Sequence, residues 1–237
     1  MARARLAKER LTTDALLVRR VPFRESDDIV HLFTEDHGAV SAIARGARRS
    51  QKRFSGLEPV HLLRVGVDVV HDRELGTLVE ASLLRPRVGV MTRLATMEAA
   101  GKALRWLRSA APQRSAELGM WSEANQLLDA LDRPDADAEG LLAATGLRLL
   151  AAAGWALELV CCVRCGRDCP EKARAIVDVR AGGIVCRHCG GQGSALGARQ
   201  RHALTAAIGG EPFAGDPEAA IALVDAAFQT HGRGEAT

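Results

Sequence analysis

The period of the apolar residues changes once along this chain, at Arg85-Pro86. Before that point short, β-branched runs recur at Ala15–Val18, Ile29–Phe33, Ala39–Ala44, Val60–Val70 and Thr77–Leu84. Turn chemistry separates them, at Pro22, His37-Gly38, Ser55-Gly56 and Gly76. In the second run Ile29, His31 and Phe33 share one face while Val30, Leu32 and Thr34 share the other. Five short strands in about 70 residues suit a small closed barrel, because closure removes exposed edges. An SH3-like barrel fits the count equally well, so the strand count alone leaves the topology open.

After Pro86 the period becomes helical. Leu94, Met97, Gly101, Leu104 and Leu107 mark one amphipathic stripe. Leu118, Trp121, Leu128 and Leu131 mark a second, entered after Pro112, and Leu142, Thr145, Leu149 and Ala152 a third that stops at Gly154. Two more helices are expected at Ala198–Ile208 and Pro217–His231. The chain is therefore read as α+β, with a β-domain over 1–86 and a helical domain over 87–237. It has no stretch of about 18 uncharged apolar residues, so no transmembrane helix is expected. No apolar run follows the basic start of the chain, so no signal peptide is read and a cytoplasmic location is expected.

All six cysteines fall between Cys161 and Cys189. A disulfide framework would spread across the chain; this clustering points to metal. Cys162-Val-Arg-Cys165 and Cys186-Arg-His-Cys189 are two C-x-x-C knuckles separated by twenty residues. Two such hairpins complete a tetrahedral shell of four thiolates around one structural Zn2+ per chain. Gly166 and Gly190, which follow the knuckles, help the backbone turn around an ion. Cys161, Cys169 and His188 are extra potential ligands that this pattern leaves as bystanders. A closed shell of four cysteines offers no open position, so the metal stabilises the fold and does not activate water.

Net charge is only +3, so a nucleic-acid signal must come from where charges sit. Arg45-Gly-Ala-Arg48-Arg49-Ser-Gln-Lys52-Arg53 holds five cations and no acid, between two expected strands. Such a loop offers phosphates a surface through charge and counterion release. Arg19, Arg20 and Arg24 extend the patch, and Arg3, Arg5, Lys8 and Arg10 form a loose basic arm. Aromatics make up only 3% of the chain, with no Tyr. Stacking platforms are thus limited to Phe23, Phe33 and Phe54, and Phe33 is expected in the core. Grip by phosphate contacts, with base edges left free to pair, is the reading.

Catalytic patterns are missing. No His is followed two residues later by Glu, neither knuckle is preceded by Pro, and Gly101-Lys102 is followed by Ala103 in a helix. The pair Asp27-Asp28 is expected to form a turn or to meet nearby Arg side chains. No enzyme is read here. The alternative is a zinc-ribbon transcription or RNA-binding factor, acting through Arg164, Arg167, Lys172, Arg174, Arg180 and Arg187.

Thr13–Arg20, Glu25–Thr34, His37-Gly38 and Ala42–Arg53, followed by Gly154, Leu159, Cys162-x-x-Cys165-Gly166 and Gly182-Gly183-Ile-Val-Cys186-x-x-Cys189, resemble the bacterial repair and recombination-mediator family RecO. The resemblance spans roughly residues 11 to 192; Leu157 and Val177 depart from it, standing where a Pro and an aromatic are common. It implies a five-stranded OB-fold barrel, then an all-α domain with an embedded four-cysteine zinc ribbon at about 159–192. It further implies binding of single- and double-stranded DNA, annealing of complementary strands, and partners. These are a RecR-type ring protein, the C-terminal tail of single-strand-binding protein and, indirectly, the recombinase RecA; a nucleoid-associated location follows. The family's DNA contacts carry over to Arg19, Arg45, Arg48, Arg49, Lys52 and Arg53, and zinc is structural and dispensable to the core activity. Lys102, Arg105 and Arg108 are one candidate surface for the acidic tail.

Overall fold

A computed structural model of the protein describes residues 8–50, 52–70 and 73–232. Strands β1 (Lys8–Phe23), β2 (Asp27–Thr34), β3 (Gly38–Ala44), β4 (Leu62–Val70) and β5 (Leu75–Arg85) close into a barrel in the order β1-β2-β3-β5-β4. β3 and β5 run parallel and every other pair antiparallel. That crossing separates the OB-fold from a simple meander and decides between the two barrels that strand count leaves open. Leu17, Val30, Leu32, Val40, Leu63, Val65, Val67 and Leu78 fill the interior.

β1 is far longer than the four-residue run expected. Its first half alternates exposed polar residues with buried Leu11 and Thr13, which an apolar run does not reveal. Lys8 and Arg10 accordingly belong to a strand, not to a loose arm, and both pair with the buried carboxylate of Asp68. Arg3 and Arg5 lie outside the described residues.

After a 3₁₀ turn at Val88–Thr92 come helices α1 (Leu94–Ala110), α2 (Leu118–Leu131), α3 (Ala138–Ala152), α4 (Ala198–Ile208) and α5 (Pro217–His231). Asp137 and Asp216 cap α3 and α5 by accepting from Gly140 and Ala219 N–H groups. α3 touches the other four helices, and Trp106 stacks on Phe228 at 5.4 Å. Leu94, Met97 and Leu118, expected on buried stripes, are exposed; the α1 face that packs is Ala99, Ala100, Ala103, Leu104, Trp106 and Leu107. The stripe slips because small alanines let helices approach closely, and larger side chains one turn earlier overhang the bundle.

Barrel and helices share one core. Leu16, Phe33 and Val60 join the helical cluster, and Phe33 meets Trp121 at 5.9 Å. Phe33 is core as expected, but it lies outside the barrel. Arg87, fully buried, bolts the junction. It donates to Asp129 Oδ1 at 2.7 Å, Val60 O at 2.8 Å and Asn125 Oδ1 at 2.8 Å. At Gly38, φ is +61°, and an added Cβ would sit 2.0 Å from Ser115 O, so only glycine lets the α1–α2 loop reach the β2–β3 turn. Between α3 and α4 a small sheet of β6 (Ala175–Asp178), β7 (Gly183–Ile184) and β8 (Ser194–Leu196) forms in the order β7-β6-β8.

Candidate metal centre and nucleic-acid interface

The cysteine site is built by two tight turns held against β7. Val163 N donates to Ile184 O at 2.9 Å, fixing the first knuckle to the strand that leads into the second. Gly166, with φ +69°, lets its N–H reach Cys162 O at 2.8 Å, and Gly190, with φ +73°, closes the second turn on Arg187 O at 3.1 Å. Cys162, Cys165, Cys186 and Cys189 consequently place four sulfurs within 4.8 Å of one another. Cys165 and Cys186 Sγ are 3.8 Å apart. A tetrahedron of zinc–thiolate bonds has edges of roughly 3.8 Å, so this donor set fits one metal ion. The Cys186 N–H, 3.3 Å from Cys162 Sγ, draws that thiol down to about 6. Hydrogen bonding to Cys186 pushes Cys189 up to about 12. A thiolate cluster without a cation resists its last ionisation, and an ion at its centre removes that cost.

Cys161, Cys169 and His188 stay outside the cluster among the described residues. Burial and then the Glu158 carboxylate raise the Cys161 thiol, and Cys169 packs against the apolar core.

Two groups that shape this site escape a sequence reading. Glu158 Oε1 accepts from Val160 and Cys161 N–H at 2.7 and 3.1 Å, setting the approach to the first knuckle. Arg201 of α4 is buried and donates to four carbonyls around that knuckle, those of Leu159, Cys169, Pro170 and Glu171. Its one legible signal is position, three residues before Leu204 on the buried side of α4.

The basic loop leaves β3 and returns through Phe54, which is buried in the barrel and bridges Ala81. Phe54 is therefore no stacking platform; half-buried Phe23 carries the Arg24 guanidinium 5.1 Å above its ring. The expected cations divide into two sets. Arg20 and Arg48 converge on Asp28, which is 1% exposed and faces the barrel interior. Arg20 also reaches Leu57 O at 3.1 Å, so this trio closes one end of the barrel. The expectation that the Asp27-Asp28 pair meets nearby arginines is met, and Asp27 Oδ1 accepts from Gly46 N at 2.8 Å. Arg49 lies 3.9 Å from Glu25, both exposed, a contact worth little. Arg19, Arg24, Arg45, Lys52 and Arg53 are exposed with no carboxylate partner among the described residues, although Arg53 donates to Arg45 O. Arg48 N–H donates to Ser26 O at 3.2 Å, which lays the loop beside the turn that carries Arg24.

The ribbon cations Arg164, Arg167, Lys172, Arg174, Arg180 and Arg187 are not all equally placed, but Arg167, Arg174 and Arg187 border one cavity of about 570 Å³ beside the knuckles. On α1, Lys102 Nζ is drawn to Asp225 Oδ2 of α5 at 2.5 Å. Among the described residues no helix is long and apolar enough to cross a membrane.

Residues 9–87 match the family model described as recombination protein O N terminal, and residues 97–226 match recombination protein O C terminal. The chain is 35% identical over 182 residues to a DNA repair protein RecO of Anaeromyxobacter sp. strain Fw109-5, covering 76% of this chain and 71% of that one. It is 34% identical over 178 residues to the protein of that name from Rubrobacter xylanophilus, covering 73% and 69%. With the Geobacter sulfurreducens protein of that name it shares 30% over 199 residues, covering 83% and 79%.

Proposed function

Because the chain belongs to the recombination protein O family, whose members act in DNA repair and recombination, we propose that it is a non-enzymatic recombination mediator. In this reading the barrel holds single- and double-stranded DNA by the phosphates, and complementary strands anneal on it. With a RecR-type ring protein, it then helps load recombinase RecA onto DNA covered by single-strand-binding protein. This work is cytoplasmic. The observation that carries the reading is the set of exposed cations without carboxylate partners among the described residues, Arg24 on the β1–β2 turn, Arg45, Lys52 and Arg53 on the loop after β3, and Arg19 on the outer face of β1. Neutralised phosphates let two strands approach while base edges stay free. The chemical step is pairing between bases, so the protein need supply no reacting group.

The four-cysteine cluster is proposed to hold one zinc that ties the ribbon together. Zinc would supply four bonds to the thiolates of Cys162, Cys165, Cys186 and Cys189 there, and the surrounding residues keep the thiols aimed inward. For the acidic, apolar-ended tail of single-strand-binding protein, the Lys102 surface is weakened by Asp225. A groove of about 410 Å³ between β6, β8 and α5, lined by Val177, Val179, Leu196 and Leu223 with Asp178 and Arg180 at its border, is the candidate for the apolar end of such a tail. Leu223→Glu should abolish tail binding in titration calorimetry while leaving DNA affinity unchanged.

The arginine-bordered cavity favours one other reading, a ribbon that itself contacts nucleic acid. One assay separates the two. Replacing Arg19, Arg45 and Lys52 with Ala should flatten the slope of log affinity against log salt for single-stranded DNA by roughly 2 units and lower annealing with it. Reversing Arg167, Arg174 and Arg187 should leave that slope in place; the opposite pattern moves the interface to the ribbon.

A further inference from the structure

Rows of side chains cross the outer face of β1, β2 and β3 in register. Leu16, Phe33 and Ala39 form the row beneath the helices. Next comes Arg19–His31–Ser41, and beyond it Val21–Ile29–Ile43. A bulge between Leu17 and Arg19 turns Arg19 outward to join His31.

The middle row lies where the helical cover ends. Arg19 is exposed, His31 and Ser41 half-buried, and His31 Nδ1 stands 2.9 Å from Ser41 Oγ. Arg108 of α1 adds positive charge near the same imidazole. Burial, then Arg19, then Arg108 hold His31 below its ordinary value. Exposed Arg19, in register with the ring, makes a setting that suits an anion. Its neighbouring row is apolar and half-exposed at each position, and neither hydrophobic core includes it.

A histidine hydrogen-bonded to a serine is commonly just a satisfied surface pair. An exposed guanidinium in register with that pair, beside an uncovered apolar row, is harder to explain by packing. We propose that Arg19, His31 and Ser41 form a seat for one backbone phosphate of single-stranded nucleic acid, with Val21, Ile29 and Ile43 receiving the adjacent base. Alternate residues on a strand are roughly 6.6 Å apart, which keeps the apolar row within reach of a nucleotide whose phosphate is seated. The seat rests on the reading that the barrel binds nucleic acid, and it adds a proton to that binding.

A seated phosphate stabilises the imidazolium, so His31 has a higher pKa in the complex than in the free protein. Binding therefore takes up a proton, and affinity rises as pH falls from the bound value toward the free one, which lies below about 6.5. A rise of one unit corresponds to about tenfold tighter binding at the acid end.

The experiment uses the full chain with its metal, a labelled oligo-dT followed by anisotropy from pH 8 to 5.5, and an imidazole NMR titration. The parent should bind roughly tenfold more tightly at the acid end. His31→Asn, which keeps a neutral partner for Ser41, should flatten that dependence, and oligo-dT should raise the His31 pKa in the parent. An Asn variant as pH-dependent as a binding parent, or a His31 pKa that oligo-dT leaves in place, overturns the seat. A parent that ignores oligo-dT overturns the nucleic-acid reading instead. Inorganic phosphate then decides the seat alone: an upward shift of His31 keeps it as an oxyanion site, and no shift removes it.

Discussion

Four thiols from residues 162–189 gather within 4.8 Å, while the cations between Arg45 and Arg53 scatter in purpose. Arg48 is bound to a buried carboxylate, Arg53 donates to a neighbouring carbonyl, and Arg45 and Lys52 face solvent. Both stretches concentrate one chemistry in a short run of sequence. They differ in what satisfies them. Two C-x-x-C turns meeting on a β-ribbon have essentially one productive geometry, and it is local. A guanidinium is satisfied by any carboxylate the fold brings near, and Asp28 comes from a strand twenty residues away. Spacing therefore identifies a thiol cluster residue by residue, whereas charge density identifies only a region.

The largest effect that can test this contrast lies at the knuckles. Parent protein purified without chelator should carry one zinc per chain, and Cys162→Ser should carry almost none. Zinc-finger peptides draw roughly 10–16 kcal/mol from their ion, so the variant should become protease-sensitive around residues 159–192. Barrel fragments should survive the same digestion. Full zinc in the variant, or none in the parent, breaks the contrast at its stronger end.

Next in size is Arg201→Met, which removes donors from four carbonyls. Leaving these acceptors poorly satisfied should cost about 3 kcal/mol, a fall of about 6–12 °C in melting temperature. Zinc should also leave faster to a chelator. An unchanged melting curve would show that the knuckles hold their geometry without help from α4, making the site more local still.

The third test concerns the buried carboxylate. Asp28→Ala should destabilise the barrel by about 2 kcal/mol, a figure kept low because both arginines are partly exposed. It also frees the Arg48 guanidinium, while Arg20 stays on Glu58 and on Leu57 O at 3.1 Å, so the salt slope for single-stranded DNA should steepen by up to about 0.7 units. A less stable protein that responds more steeply to salt is the signature of cations held back by the fold. A slope that stays put would mean that Arg48 cannot reach phosphate even when released.

What is legible in the sequence follows the same division between local and distant causes. The bounds of α4 and α5 are readable because caps and glycines sit beside them. β1 reads only as Ala15–Val18, since Lys8, Arg10 and Asp14 hide its alternation and are matched by partners on β4. Phe54 looks available for stacking in the sequence, but the loop returns it to the barrel core. Arg87 and Arg201 look like any other arginines in the sequence, because their partners lie some 27–42 residues away. The set of four thiols that gather into one cluster, by contrast, is readable to the last residue.

The smallest effect is the most discriminating, since it sets one loop arginine against another three residues along. Arg45 and Arg48 carry equal charge on the same loop, and a reading by composition makes them equivalent DNA contacts. The fold exposes Arg45 and leaves Arg48 on Asp28 at 3.1 Å. If Arg45 meets a phosphate, Arg45→Ala should flatten the salt slope by about 0.7, with melting temperature unchanged. Between 50 and 200 mM salt that is about a 2.6-fold difference in how far affinity falls. Arg48→Ala should do the reverse, leaving the slope within error and lowering the melting temperature by a few degrees, because Arg20 alone then balances Asp28. Salt titrations of both variants on one oligonucleotide, with paired melting curves, make the measurement. Equal slope changes would show that Arg48 exchanges Asp28 for phosphate when DNA arrives, and the ion pair at the barrel end would then be a reserve of charge and not a structural plug.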